Sequence, residues 1–415
     1  MHKKWQILFA LVALVLLLPV TAAAKVIHVP ADQPTIQDAI NAANNGDTAL
    51  VSAGRYTENI NFMGKAITVT SSAGPKTTII DGGEVAPVAT FATGETTTSV
   101  LSGFTLQNGM ATFNSEYDGG GVYISGASPT IQRNIIQNNT ACNGGGGIAV
   151  EFGSPVIQGN RIIGNSQSGC SGGIGGGGIS VGGAASAQII GNEIGNNSWP
   201  GSGGGISLFA AGTPTIADNI IYSNNTDGGQ GGGISMVNDS AAVVVQNLFF
   251  ANSASEGTGI YFLVPDGASP PIFVNNTVVA GAGATQGAAV FAGGFDDQVQ
   301  FYNNLLIGLS TENAVYCDST YDPNPPTFTN NDAYAGNGSG LQGTCASQAT
   351  QNGNISANPM FISPPRLNYQ IQAGSPAINA GDNNAPDILK QDLAHHPRIV
   401  GGTIDMGAYE YQGTD

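Results

Sequence analysis

Charge is what this chain has least of. Only 9% of its 415 residues are Asp, Glu, Lys or Arg, and 11 basic residues stand against 28 acidic ones, for a net charge of −17. Such a surface lacks the clustered Lys and Arg that neutralise phosphates, which excludes nucleic acid and anionic membranes as partners. Aromatics are sparse (7%, two Trp), and the histidines beyond the first residues are His28, His395 and His396. Four cysteines without a CxxC spacing or a suitably placed histidine argue against zinc. Long apolar runs are missing except at the start. Met1-His2-Lys3-Lys4, the run Ile7 to Leu18 and Ala22-Ala23-Ala24 have the charged, apolar and small-residue parts of a secretory signal, expected over 1–24. That run is too short for a comfortable span, so membrane insertion is not expected. The rest is read as secreted, periplasmic or extracellular.

What the chain has in excess is glycine, 61 residues, and the glycines recur. Gly119-Gly120-Gly121-Val122-Tyr123-Ile124 returns at Gly145, Gly176, Gly203 and Gly231, with fainter copies at Gly257 and Gly287. A fixed period is the mark of a repeat architecture. After each cluster the apolar residues alternate: Ile148 and Val150, Ile179 and Val181, Ile206 and Leu208. Such residues face one side of a strand. Further on, each repeat carries an asparagine: Asn134, Asn160, Asn192, Asn219, Asn247, Asn276 and Asn304. The residues three before and two after are apolar throughout, which predicts a second and a third strand on either side. A second asparagine follows at Asn139, Asn165, Asn197, Asn224 and Asn252.

Three short strands per repeat with apolar inner columns predict a coil whose turns stack along an axis. Stacked at about 4.8 Å, each asparagine amide meets its copy above and below. The alternative is a ligand-binding row. Cys142 and Cys170 fall in corresponding loops one repeat apart, as do Cys317 and Cys345, and in an exported chain they pair in that order. Thr35 opens Ile36-Gln37-Asp38-Ala39-Ile40, a short amphipathic helix able to cap the open end of the stack.

With its Asn columns, Gly-led strands and N-terminal helix, the chain resembles the right-handed parallel β-helix proteins of the pectin-lyase-like superfamily from about residue 26 to 335. The segment from Pro34 to Ile60 is similar to the opening of pectin methylesterases. Asn358-Pro359-Met360-Phe361, Gly374 to Asp382, Arg398 and Asp405 to Glu410 resemble the C-terminal choice-of-anchor Q module of exported bacterial β-helix proteins. The implied organisation is an N-terminal cap and first rungs over 25–110, regular repeats over 111–335, and a module over 336–415 that packs on or caps the coil.

The resemblance implies polysaccharide binding and, in many members, cleavage. Polygalacturonase motifs are only half present: Asn225-Thr226-Asp227 and Asp296-Asp297 match, but no Gly-His-Gly or Arg-Ile-Lys exists. Pectin methylesterase motifs are missing from the repeats. A pectate-lyase base would have to be Arg133 or Arg161, and Arg161 is expected to pair with Glu193 one rung on. In the superfamily the substrate groove commonly follows the loops before the Gly-led strands, which here carry Glu116, Asp118, Trp199, Asp227 and Glu256. Asp227 and Glu256 are the candidate catalytic carboxylates if they stand one rung apart, near the 5–5.5 Å of retaining glycosidases; otherwise they are solvated turn residues. Trp199, Tyr261 and Phe209 are candidate sugar platforms, with Glu151 a further candidate on the same outer side. Calcium is the only cofactor suggested, through Asp382, Asp387 and Asp392. The expected partner is a polysaccharide, neutral or, if acidic, bridged by cations; a non-catalytic structural or adhesive surface protein is the competing reading.

One outer column is unexpectedly apolar. Ile220, Leu248 and Leu305, with Tyr222, Phe250, Val279 and Ile307, should point outward, and a patch this long demands a cover. Either residues 340–415 fold back over it or a partner protein does.

Overall fold

The computed structural model describes residues 23–112, 118–167, 169–170, 175–309, 312–336 and 340–413. The candidate signal segment, but for Ala23 and Ala24, and Glu116 lie outside the described residues. The chain is a parallel β-helix. Three long sheets, of 12, 11 and 11 strands, run its length, and every strand in them pairs in parallel with its counterpart one rung away. The register is the one the repeats demand: Ile148 stands over Val122 and under Ile179, and Val150 over Ile124 and under Val181.

The interior follows from alternation. Ile148, Val150, Ile179, Val181, Ile206 and Leu208 from the Gly-led sheet are buried, as are Ile157, Ile189 and Ile216 from the second and Ile162, Ile194 and Ile221 from the third. In later rungs the second-sheet column becomes aromatic, and Phe273, Phe301 and Phe328 stack with centroids 4.4 and 4.6 Å apart. From Asn134 onward, an inward asparagine satisfies the corner where the chain turns from the second sheet to the third; one rung earlier Phe104 holds that place, and its N–H donates to Asn134 Oδ1 (3.0 Å). Asn192 Nδ2 donates to Ile157 O (2.9 Å) and Asn219 Oδ1 (3.0 Å), while its Oδ1 accepts from Asn160 N (2.9 Å). This ladder runs from Asn134 through Asn304 and on to Asn331 and Asn354. A second buried ladder joins Asn139, Asn165, Asn197, Asn224 and Asn252. Turn asparagines bonded this way leave few buried backbone groups without partners.

At the N-terminal end, helix α1 (Ile36–Ala42) buries Ile36, Ala39 and Ile40 against the first rung. Thr35 Oγ1 accepts from Asp38 N (3.0 Å), and Glu58 accepts from Ile36 N and Gln37 N, a carboxylate at the positive end of the helix. Both disulfides join successive rungs, with Cα–Cα 5.4 Å for Cys142–Cys170 and 5.7 Å for Cys317–Cys345. Replacing Cys317 and Cys345 by serine frees a loop of 28 residues, expected to cost about 3.5 kcal/mol from chain entropy. A lowered urea midpoint with a steeper slope, since the freed unfolded chain exposes more surface, would register this; an unchanged midpoint would contradict it.

The apolar outer column of the third sheet is covered from within the chain. Leu248 and Phe250 pack against Tyr369 and Phe361, and Leu305 and Ile307 against Ile371, Ala377 and Met406. Residues at the outward corners, immediately before the ladder asparagines, hold this module: Asn303 Nδ2 donates to Asp382 O (3.0 Å) and its Oδ1 accepts from Asp382 N (2.7 Å), while Asn330 Nδ2 donates to Ala380 O (2.8 Å). Inside the module the buried Arg398 donates to Asp405 O (3.2 Å) and Gly407 O (2.5 Å).

Candidate functional site

The outer face of the Gly-led sheet carries a cleft of about 490 Å³, lined by Asp118, Asn143, Gly144, Glu151, Phe152 and Phe209 among others. Its geometry follows from the repeat. In Ile148–Glu151 the inward residues are Ile148 and Val150, so Ala149 and Glu151 point out. Phe152, in the left-handed region (φ 54°), turns the chain off the strand and stays 60% exposed. The loops ahead of the lead strands return across this face and form the cleft's wall. They stack as closely as strands: Gly144 and Gly145 pair with Gly175 and Gly176, and Gly145 N donates to Asp118 O (3.0 Å). Only glycine permits this packing, since a Cβ on Gly146 would lie 2.7 Å from Gly177 O.

Wall and floor bring two carboxyl groups together. Asp118 and Glu151 line the same cleft, and Tyr123 Oη donates to Glu151 Oε2 (3.5 Å). Burial and then the neighbouring Asp118 carboxyl push Glu151 up to about 7. Below about pH 7 Glu151 therefore carries a proton that it can donate to an oxygen.

The other sequence candidates fare differently. Phe209 and Glu151 both line the cleft. Trp199 does not: it has no exposed surface, packing with Ala111 and Ala141 under the glycine layer, where a Cβ on Gly175 would lie 2.5 Å from its ring. A platform for sugar must be reachable, so that assignment is corrected. Tyr261 is corrected for the same reason. Although outward, it is 5% exposed and stacked on Phe291 (5.4 Å), and burial pushes its phenol up to about 12. Asp227 and Glu256 are not stacked as a pair. Asp227 closes a turn on Asn225, whose Oδ1 accepts from Asp227 N (3.0 Å), and the loop then runs on so that Glu256 pairs with Gln230, whose Nε2 donates to it (2.7 Å). Arg161 and Glu193 do form the expected exposed ion pair (3.1 Å), a contact worth at most about 1 kcal/mol. Asp382 and Asp392 spend carboxylate oxygens on the backbone N–H groups of Asn384, Ala394, His396 and Glu410. Among the described residues no three acids, histidines or cysteines converge on a metal position.

Asp118 was legible only as an unusual loop acid, and Phe152 and Gly182 gave no signal when each repeat was read alone. Reading the outer column across rungs would have found them. Ser125, Glu151, Gly182 and Phe209 stand in register, and that column changes character sharply at Glu151.

This architecture defines the class, a right-handed parallel β-helix protein. Residues 170–306 match the family model described as right handed beta helix region. No curated protein sequence matches the chain. Among solved structures, the crystal structure of pectate lyase Pel9A is similar, at 14% identity and a TM-score of 0.44 over 94% of this chain and 97% of that one. A likeness at that level assigns no activity to this chain.

Proposed function

We propose that this is an exported β-helix protein that binds extracellular polysaccharide in the cleft over Glu151. The observation that carries the reading is an open cleft that sets Asp118 and Glu151 beside the exposed ring of Phe152 and the half-buried ring of Phe209. Sugars present hydroxyls that both donate and accept, and C–H faces that lie on aromatic rings. Two carboxyl groups, with Glu151 protonated up to about pH 7, meet the first need, and the two phenylalanines the second. Export is supported by the N-terminal signal pattern and by two disulfides, which persist in oxidising compartments. The C-terminal resemblance to choice-of-anchor Q modules fits a role at a cell surface.

The test is affinity electrophoresis of the protein without its first 24 residues through gels containing soluble polysaccharides, with parallel assays for reducing ends and unsaturated products. Glu151→Ala should weaken retention about tenfold, roughly 1.4 kcal/mol. The pH dependence of retention, with a midpoint near 7 in the parent, should disappear in that variant. Retention lost in Asp227→Asn or Glu256→Gln but kept in Glu151→Ala would move the site to the other loops. Retention by no polysaccharide would overturn the reading.

A further inference from the structure

Between Glu151 and Phe209 the outer column has a gap. Glu151, Gly182 and Phe209 occupy successive rungs in strict register, so the two side chains project from backbone positions two rungs apart, about 9.6 Å. The rung between them contributes no side chain. A flat ring held at van der Waals contact by groups on both sides needs about 7–8 Å between those groups, so the notch accepts a ring one sugar unit thick. Its floor is strand backbone. One end is closed by Phe152, whose ring leans over Gly183 so closely that a Cβ there would sit 2.8 Å from it. The other side is the glycine-loop wall bearing Asp118 and Asn143. Gly182 itself does not need to be glycine for its backbone: it lies within a strand, has no left-handed φ, and an added Cβ would meet only Phe209 O, at 3.3 Å. Its lack of a side chain therefore leaves space and answers to no backbone strain.

The chemistry around the notch is one-sided. Of the described residues lining the cleft, Asp118 and Glu151 are the acids, and none is Lys, Arg or His. A uronate or sulfated sugar placed there would lose hydration beside carboxyl groups with no protein cation to offset it, a large cost in a partly buried site. A neutral sugar loses little and finds both a donor and acceptors.

We infer that the Gly182 notch is a subsite for a single neutral sugar ring of a polysaccharide, held between the Glu151 carboxyl and the Phe209 ring. The inference rests on the polysaccharide-binding reading above and adds to it the substrate class and the specificity-determining residue. In the bound state the sugar's hydroxyls face Glu151 and Asp118, and one apolar face lies on Phe209.

Two comparisons test it, with retention measured in gels containing a neutral set (glucomannan, xylan, mixed-linkage β-glucan, dextran) and an acidic set (polygalacturonate, alginate, hyaluronan), each with and without calcium. The parent should be retained by at least one neutral polymer and by no acidic one. Gly182→Ala and Gly182→Val put one and three carbons into the notch. The added Cβ stands 3.3 Å from Phe209 O, so this carbonyl must give by a few tenths of an ångström. Both should lower retention, Val at least tenfold, with the parent's far-UV circular dichroism kept. Gln188→Val, on the second sheet of the same rung and exposed, should leave retention unchanged. Neutral-polymer retention that survives in a folded Gly182→Val variant would overturn the notch but leave the cleft reading intact. Preference for an acidic polymer would overturn the substrate class alone. No retention by any polymer would overturn both.

Discussion

Asn192→Ala should lower the stability of the protein by about 4 kcal/mol, although the side chain touches no ligand and lies far from either end. The residue is buried and serves as both donor and acceptor within one rung step. Its Nδ2 satisfies Ile157 O, and its Oδ1 satisfies the Asn160 backbone N–H and amide. Alanine leaves roughly three buried polar groups without their partners, each costing about 1–3 kcal/mol, and opens a small cavity into which the corner can relax only in part. In a solenoid each rung contacts only its neighbours, so the loss is felt first at the interfaces on either side of this corner. Urea unfolding followed by far-UV circular dichroism reads the effect. Asn324→Ala, in an exposed turn, should shift stability by less than about 0.5 kcal/mol. Equal midpoints for the two variants would show that the ladder is not an energetic element.

Stability should fall as pH rises from 5 to 8, the reverse of the common acid-denaturation pattern. Asp296 is pushed up to about 7 by burial and by the charges of Asp322, Asp297 and Asp318; its carboxylate oxygens have no hydrogen-bond partner. Burial lifts Asp332 to about 7, against a single N–H from Ala357, and lifts Glu410 to about 7 despite N–H groups from Asp405 and Val400. Glu151 joins them. In this window the folded chain holds protons that the unfolded chain has already released. Unfolding therefore becomes progressively easier with rising pH, and the loss is complete once pH passes the folded values near 7. Water penetration and local relaxation reduce the effect well below the sum of the shifts, to roughly 4 kcal/mol for the set, or about 5 °C in melting temperature. At the acid end the sign reverses. Backbone N–H groups of Asn44 and Lys25 hold Asp47 below the usual carboxylate range, and that contribution is lost as pH falls through its folded value. Calorimetry across pH 3 to 9 at constant ionic strength should show a maximum near pH 4, about the unfolded carboxylate values, with the decline complete by about pH 7. A melting temperature that climbs between 5 and 8 would refute this ordering of the buried acids.

The repeat was readable because stacking turns sequence periodicity directly into vertical contact. Ile148, Ile179 and Ile206 had to share an inner column once their register was fixed by the glycines before them and the asparagines after them. The same logic brought Cys142 to Cys170 and Cys317 to Cys345, and Arg161 to Glu193. It failed in the loops. Asp227 and Glu256 are close in repeat position, but the Asn225–Asp227 turn and the residues behind it shift the pairing, so Glu256 meets Gln230. Trp199 and Tyr261 looked like outer aromatics, yet returning glycine loops and neighbouring rings cover them. A loop's course is set by what it packs against, and no periodicity records that.

By itself, the sequence determined the solenoid, its inner columns, its amide-lined corners, its disulfide pairs and the need for a cover over the apolar outer column. These follow from local alternation and a fixed repeat, where each residue's neighbours are those one period away. Tertiary structure alone decided that residues 361–411 supply that cover, that Asp118 and Glu151 line one cleft, and that the missing side chain at Gly182 leaves a notch in front of Phe209. Each of these depends on where a non-repeating segment lands on the stack, which is set by packing between elements that share no period.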